Sequence, residues 1–340
     1  MQDTIIKEEI LKNIVEHQLI ADQDTIVVAV SGGPDSMCLL QVLYDLQDIL
    51  CDKYHIHYTM VVAHVNHMIR EESKQEKVYV ENFCKAKEIP FYYLEKDVPR
   101  LSKVYKMSEE TYGRKIRYDF FDEVASKCQA QKIAVAHHLD DNVETIFLNI
   151  IRGCGLQGLT GMDFRYKNII RPLLTIEKKD ILEYNIIQNL NPCFDKTNEL
   201  DIYIRNKVRN KLIPSLKEEY NASILKNMTR MRNILAIDND FLKEYTNQVV
   251  EKAIIEKEEK DQTLRSMTFD FSNIMQEHLA IRTRAIRKMI EMKMITLEGI
   301  ENIHVMDILK LLENNKVKKK YIIGNKFTIE IIKKNVAKIY

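Results

Sequence analysis

What this chain lacks narrows its class before any motif is read. No two of its six cysteines (Cys38, Cys51, Cys84, Cys128, Cys154, Cys193) are spaced as C-x-x-C. Neither a zinc clip nor an iron–sulfur site is therefore expected, and the thiols are read as free and mostly buried. No apolar run reaches the ~18 residues of a membrane-spanning helix. Met1-Gln2-Asp3-Thr4 does not open a basic-then-apolar leader. The expectation is a cytoplasmic protein with no membrane partner. Internal repeats and low-complexity stretches are missing too. So are the lysine of a G-x-x-x-x-G-K-S/T loop and the spacing of G-x-G-x-x-G, which excludes two familiar phosphate-binding loops. Glycine is scarce, nine in 340 residues, so where glycines cluster they mark special backbone.

The near-neutral total, +1, hides an asymmetry. Residues 1–200 hold 24 Lys and Arg against 31 Asp and Glu; residues 201–340 hold 27 against 19. An acidic front and a basic tail point to a polyanion meeting the tail.

Against these absences, one stretch stands out. An apolar run, Ile26 to Val30, reads as a buried parallel strand. It runs into Ser31-Gly32-Gly33-Pro34-Asp35-Ser36, and helical apolar spacing follows through Met37, Leu40, Leu43 and Tyr44. Strand, glycine turn and helix aim backbone N–H groups and a positive helix end at an anion. Gly32 and Gly33 allow close approach, Pro34 suits a helix start, and Ser31 and Ser36 add hydroxyls. Asp35 would repel a polyphosphate unless a cation lay between them, which argues for Mg²⁺.

Further strands are expected at 56–65, 91–95 and 132–136, alternating with helices at 5–20, 74–88, 111–127 and up to about 152. This is an α/β domain with a mainly parallel sheet. Ligands of such sheets sit at the carboxyl ends of the strands. Ser31–Ser36, His64–His67 and His137–Glu144 all fall at such ends. Read as a helix, His137, Asp141 and Glu144 stand at i, i+4 and i+7 and share a face, where they could hold a metal, orient an amine or take its proton. Three segments are expected overall: a catalytic domain at 1–213, a charged helical connector at 214–262, and a small α+β domain at 263–340. The last contains helices near 279–292 and 304–312 and short strands at 321–323, 327–332 and 336–340.

The S-G-G-P-D-S turn resembles the signature of the PP-loop ATP pyrophosphatases, which cleave ATP between the α and β phosphates. Five other stretches narrow the resemblance to the tRNA(Ile)-lysidine synthetases. They are A-H-V-N-H-M-I-R (Ala63 to Arg70), G-R-K-I-R-Y (Gly113 to Tyr118), A-H-H-L-D-D-N-V-E-T and its continuation from Ala136, I-R-P-L-L (Ile170 to Leu174), and D-K-T-N with R-N-K-V-R and a proline (Asp195 to Pro214). The matches run in order over about residues 24–214. Two positions depart from the family pattern: Met68 replaces a usual glycine and Gly113 a usual alanine. Longer members carry a further C-terminal subdomain, which this chain is expected to lack.

The resemblance implies ATP, Mg²⁺, free L-lysine and the isoleucine tRNA with a CAU anticodon as partners, and it leaves a homodimer open. It implies that Ala29, Ser31, Gly32, Gly33, Pro34, Asp35, Ser36, His64 and Asn66 bind ATP, and that Asp35 and Asp141 hold the metal. Asp35, Arg114, His137, Asp141, Glu144 and Arg205 would be catalytic. Arg117, Arg209, Arg282, Arg284, Arg287, Lys288, Lys318 and Lys319 would meet tRNA. The alternative is another PP-loop enzyme of tRNA modification, a base thiolase, against which the lack of paired cysteines argues.

Overall fold

A computed structural model describes residues 2–68, 73–193, 204–260, 263–294, 299–324 and 327–340. Arg70, the helix start at Glu71-Glu72 and the Asp195–Asn198 turn lie outside the described residues. The chain forms two compact units, Met1–Asn233 and Ile234–Tyr340.

The first unit opens with α1 (Gln2–Glu16), β1 (Asp24–Ala29), α2 (Pro34–Tyr54), β2 (Tyr58–Asn66), α3 (Ser73–Ala86) and β3 (Phe91–Glu95). Then follow α4 (Val98–Val104), α5 (Glu109–Lys127), β4 (Lys132–Ala134), α6 (Leu139–Arg152), α7 (Leu156–Leu159), β5 (Arg165–Tyr166), β6 (Ile169–Ile170) and α8 (Lys178–Ile187). After residue 203 a helical run comprises α9 (Ile204–Lys207), α10 (Ile213–Ser215) and two π-helical turns, Val208–Leu212 and Leu216–Tyr220. The sheet order is β3-β2-β1-β4-β6-β5, parallel except at β5.

Strand periodicity explains the layering. In and just after β1, Ile26, Val28 and Val30 face a core with α1, α2 and α8, including Ile10, Ile14, Leu39, Leu43 and Tyr184. Val27 faces the opposite way, onto Phe120, Phe121 and Val124 of α5. Successive side chains point to opposite faces, and both faces are covered, so the strand reads as continuous hydrophobe. Each such side chain, fully buried, contributes about 1.5–3 kcal/mol. β1 pairs with β2 on one side and β4 on the other. The strand order therefore reverses at β1, and a crevice opens between its end and that of β4.

The 30-residue α11 (Ile224–Ala253) begins in the first unit and ends in the second. Residues 254–260, expected as helix, instead form β7 (Ile254–Lys260), which pairs with β8 (Thr263–Asp270). The second unit continues with α12 (Leu279–Met294), α13 (Asn302–Asn314), β9 (Lys320–Ile323), β10 (Phe327–Lys333) and β11 (Val336–Ile339). Its antiparallel sheet runs β7-β8-β11-β10-β9. Phe327, Ile329 and Ile331 alternate inward against Ile286, Met289, Val305 and Ile308 of the two helices. Among the described residues, no helix is long and apolar enough to cross a membrane.

Candidate active site

The turn after β1 is wired by its own serines. Ser36 Oγ accepts from Ser31 N at 3.1 Å and donates to Gly33 O at 3.0 Å, while Gly33 N donates to Ser31 Oγ at 3.3 Å. Gly32 has φ +89°, and a Cβ there would lie 3.3 Å from Glu76 Cβ, so both conformation and space call for glycine. Gly33 caps α2 with extended backbone and Pro34 fills its first turn, as the sequence predicts. Asp35, in the first turn of α2, lies 3.8 Å from His138 Nε2 through Oδ2 and pairs through Oδ1 with Lys178 Nζ.

Across the crevice, the end of β4 departs from expectation. The helix starts at Leu139, two residues later than the face-sharing argument needs, so His137 lies outside it. His138 is the N-cap and takes the inward position. Its Nε2 stands 3.4 Å from Asp141 Oδ2 and 3.8 Å from Asp35 Oδ2, and its Nδ1 stands 3.6 Å from Asp140 Oδ2. Burial opposes a charge on this imidazole, yet Asp141, Asp140 and Asp35 together raise its pKa above the ordinary value. His137 is held by Arg171, whose Nε donates to His137 Nδ1 at 3.3 Å. Burial, with the charges of Arg171, Arg205 and Arg114, outweighs Asp141 and lowers His137 to about 4.

Asp141 and Glu144 do share a face, and two arginines cover it. Arg205 Nη2 lies 3.0 Å from Asp141 Oδ1, and Arg205 Nε lies 2.9 Å from Glu144 Oε2. Arg209 repeats the pattern, with Nη2 2.8 Å from Asp141 Oδ1 and Nε 2.5 Å from Glu144 Oε1. The arginines stand four positions apart, and a π-helical turn begins between them. Arg209, expected as a tRNA contact, thus belongs to this cluster. The side chain of Glu144 is 1% exposed, so its charge rests on both guanidiniums. Asp141 is held at about 2: burial opposes ionisation, but His138, Arg205, His137 and Arg209 override it.

Two further residues at the site carry no sequence signal of their own. Lys178, at the start of α8, pairs through Nζ with Asp35 Oδ1 and donates its backbone N–H to Asp140 Oδ2 at 2.9 Å. Arg171 was legible only as part of the I-R-P-L-L run.

On the other side of β1, His64 is buried, and its Nδ1 lies 2.8 Å from Val30 O. Among the described residues, its buried Nε2 has no hydrogen-bond partner. Asn66 Oδ1 accepts from Met68 N at 2.8 Å, which turns the chain so that Met68 sits at φ +54°. The usual glycine there thus has a backbone reason. At Gly113 an added Cβ would meet the His67 ring at 3.7 Å and Val98 at 3.7 Å, ordinary contacts, so the site has room for alanine. Arg114 and Arg117 are exposed on α5, with Arg114 4.9 Å over the Tyr118 ring.

The remaining tRNA candidates lie in the second unit. Arg282 donates to Glu277 O at 2.6 Å and pairs with Glu313 at 3.7 Å; Arg284 donates to Asn239 Oδ1 at 3.1 Å; Lys288 pairs with Glu291 at 3.4 Å. Arg287 is half-buried on the same helix. Lys318 and Lys319 are fully on the surface.

Whether this site suits Mg²⁺ can be tested on its donors. Among the described residues, no group of three His, Cys, Asp or Glu side chains is placed to enclose a metal. Asp35 and Asp141 both turn an oxygen toward His138 Nε2. Two convergent carboxylates without a full cage fit Mg²⁺ carried in on phosphates, the usual way this ion is bound.

A glycine turn leaving a parallel strand at the switch point, with a carboxylate in it, defines a PP-loop protein, and residues 3–216 match the family model described as PP-loop domain. The chain is 39% identical over 331 residues to the tRNA(Ile)-lysidine synthase of Caldanaerobacter subterraneus subsp. tengcongensis, covering 96% of this chain and 67% of that one. It is 36% identical over 324 residues to that of Clostridioides difficile, covering 93% and 66%. The chain belongs to the tRNA(Ile)-lysidine synthase family. It spans about two thirds of the length of these relatives. Among solved structures, a U34-tRNA thiolase from Methanococcus maripaludis is similar in fold, with TM-score 0.54 at 19% identity over 68% of this chain and 78% of that chain.

Proposed function

We propose that this chain joins the ε-amino group of free lysine to the wobble cytidine of the isoleucine tRNA with anticodon CAU, at the expense of ATP. The cytidine carbonyl oxygen attacks the α-phosphorus and pyrophosphate leaves. The lysine amine then attacks the ring carbon, the bond from that carbon to the AMP oxygen breaks, and lysidine results. The modified base reads AUA in place of AUG, and the substrates place the work in the cytoplasm. The observation that carries this reading is the convergence of Asp35 and the Asp141–Glu144 cluster at one crevice, in a chain of this family.

Each part of the crevice has a use in the reaction. The N–H groups of the Ser31–Ser36 turn and the start of α2 suit the phosphates. The unpartnered Nε2 of buried His64 suits a polar edge of adenosine. Asp35 and Asp141 would hold Mg²⁺, which, when bound, offsets charge on the phosphates. Asp141 and Glu144 would orient the incoming lysine, whose ε-ammonium gives up a proton to solvent before the neutral amine attacks. For Asp141, orientation fits better than proton removal, because a carboxyl held at about 2 accepts a proton poorly at neutral pH. Arg114, exposed on α5, is free to meet a phosphate or the base.

The deciding experiment supplies ATP, labelled lysine and transcribed tRNA. Label should enter only tRNA with a CAU anticodon, with one pyrophosphate and one AMP released per lysine. Incorporation indifferent to the anticodon, or release of ADP, would overturn the proposal.

A further inference from the structure

Lys178 is 143 residues from Asp35 in sequence, yet its ammonium lies on that carboxylate and its own N–H holds Asp140. We infer that Lys178 is a phosphate-contacting residue of the nucleotide site, parked on Asp35 until the triphosphate arrives. The inference rests on the reading of the Ser31–Ser36 turn as an ATP site.

Three observations carry it. The side chain is 35% exposed, so it is not locked into the core. Its root is fixed, because the backbone bond to Asp140 pins the first residue of α8, and Asn185, seven residues further on, donates to Pro34 O at 3.0 Å. The anchored helix therefore presents one flexible cation to the turn. Finally, the turn lacks a lysine of its own, while Asp35 repels phosphate. An ammonium that covers Asp35 in the empty site and turns to the phosphate oxygens in the filled one adds an attraction there and frees the carboxylate for Mg²⁺. Lysine suits both tasks as a compact point charge on a flexible stem.

A double-mutant cycle on ATP binding separates contact from mere neutralisation. Equilibrium dialysis of the whole chain with ATP and Mg²⁺ reads nucleotide binding without tRNA or lysine. Lys178→Met should weaken binding by about tenfold or more, the range for a charge-assisted hydrogen bond, and Lys178→Arg should recover most of it. In an Asp35→Asn background, Lys178→Met should still weaken binding severalfold. If it changes nothing there, Lys178 only balances Asp35 and the inference fails; it fails equally if Lys178→Met alone binds like wild type. Thermal melting of each variant separates loss of binding from loss of fold. Failure of the wild-type chain to bind ATP at all would instead sink the nucleotide-site reading itself.

Discussion

Arg209 grips Glu144 with two arms, Nε on one carboxylate oxygen at 2.5 Å and Nη2 on the other at 3.0 Å. A two-armed pair at a buried carboxylate is a geometric statement, because only a planar fork can make it. Arg209→Lys should therefore behave much more like Arg209→Met than like wild type. Arg209→Met leaves Glu144 with Arg205 alone, and Arg209→Lys offers one point contact in place of the fork. Since the Arg209 side chain is 38% exposed, the loss is discounted to about 1–3 kcal/mol of unfolding free energy. Chemical denaturation measures it; a lysine variant of wild-type stability would show that the fork does not matter.

Acid should weaken the first unit before its carboxylates titrate. Burial, helped by the charges of Arg117 and His64, lowers His67 to about 4, and His137 is lowered to about 4 as well. Both folded values lie below the ordinary 6.5. The unfolded chain therefore takes up protons that the folded chain refuses as pH falls from 6.5 to about 4. Each histidine removes stability at up to about 1.4 kcal/mol per pH unit across that window. His138 works the other way: its raised pKa supplies stability below 6.5 that is lost as pH rises through its folded value. The stabilising charge of Asp141 is present above 3.8 and lost only towards 2. Denaturant midpoints at pH 7 and pH 5 should show a steeper loss in wild type than in His67→Gln. Equal slopes would mean that His67 is not buried neutral.

Gly32 and Gly33 should answer differently to alanine. Gly32 combines φ +89° with a Cβ contact of 3.3 Å, whereas Gly33 has φ −77° and ordinary space, 3.4 Å from Ser31 Oγ. Gly32→Ala should cost about 1–2 kcal/mol and weaken ATP binding, because the strained turn must shift. Gly33→Ala should stay within about 0.5 kcal/mol of wild-type stability. A melting series with both variants checks this, and equal effects would remove the backbone argument for Gly32.

The same contrast explains what could be read from residues alone. The β1 turn was legible because glycine, proline and apolar runs punctuate it locally. The helix after β4 was legible too, but its phase was not. A start at Leu139 rather than His137 gives His138 the inward place, and no periodicity fixes a start that tightly. Lys178 and Arg209 were invisible as partners of Asp35 and Glu144, since only the folded sheet brings α8 and the helical run after 203 to that edge. Ile254–Lys260 was read as helix because Glu and Lys dominate it; as an edge strand it has an exposed, charged face and little apolar alternation to betray it.

The basic tail divides into two kinds of charge, and salt dependence tells them apart. Lys318 and Lys319 are exposed beside the start of β9, where only the backbone is tied: Lys318 N donates to Ile331 O at 2.7 Å and Lys319 O accepts from Ile331 N at 2.9 Å. Their ammonium groups are thus presented on a fixed support. Arg282 and Arg284 instead bond groups of their own unit. If tRNA phosphates meet the lysines, changing both to Gln should lower the slope of log affinity against log salt by about 1–2, since each neutralised phosphate contributes about 0.7–0.9. Arg284→Gln should lower the melting temperature while leaving that slope nearly unchanged. Filter binding of transcribed tRNA from 50 to 300 mM salt (roughly the range where such slopes are resolved) measures both. A lysine variant with an unaltered slope would move the RNA contact elsewhere, and a reduced slope in Arg284→Gln would show that this arginine releases Asn239 to take a phosphate.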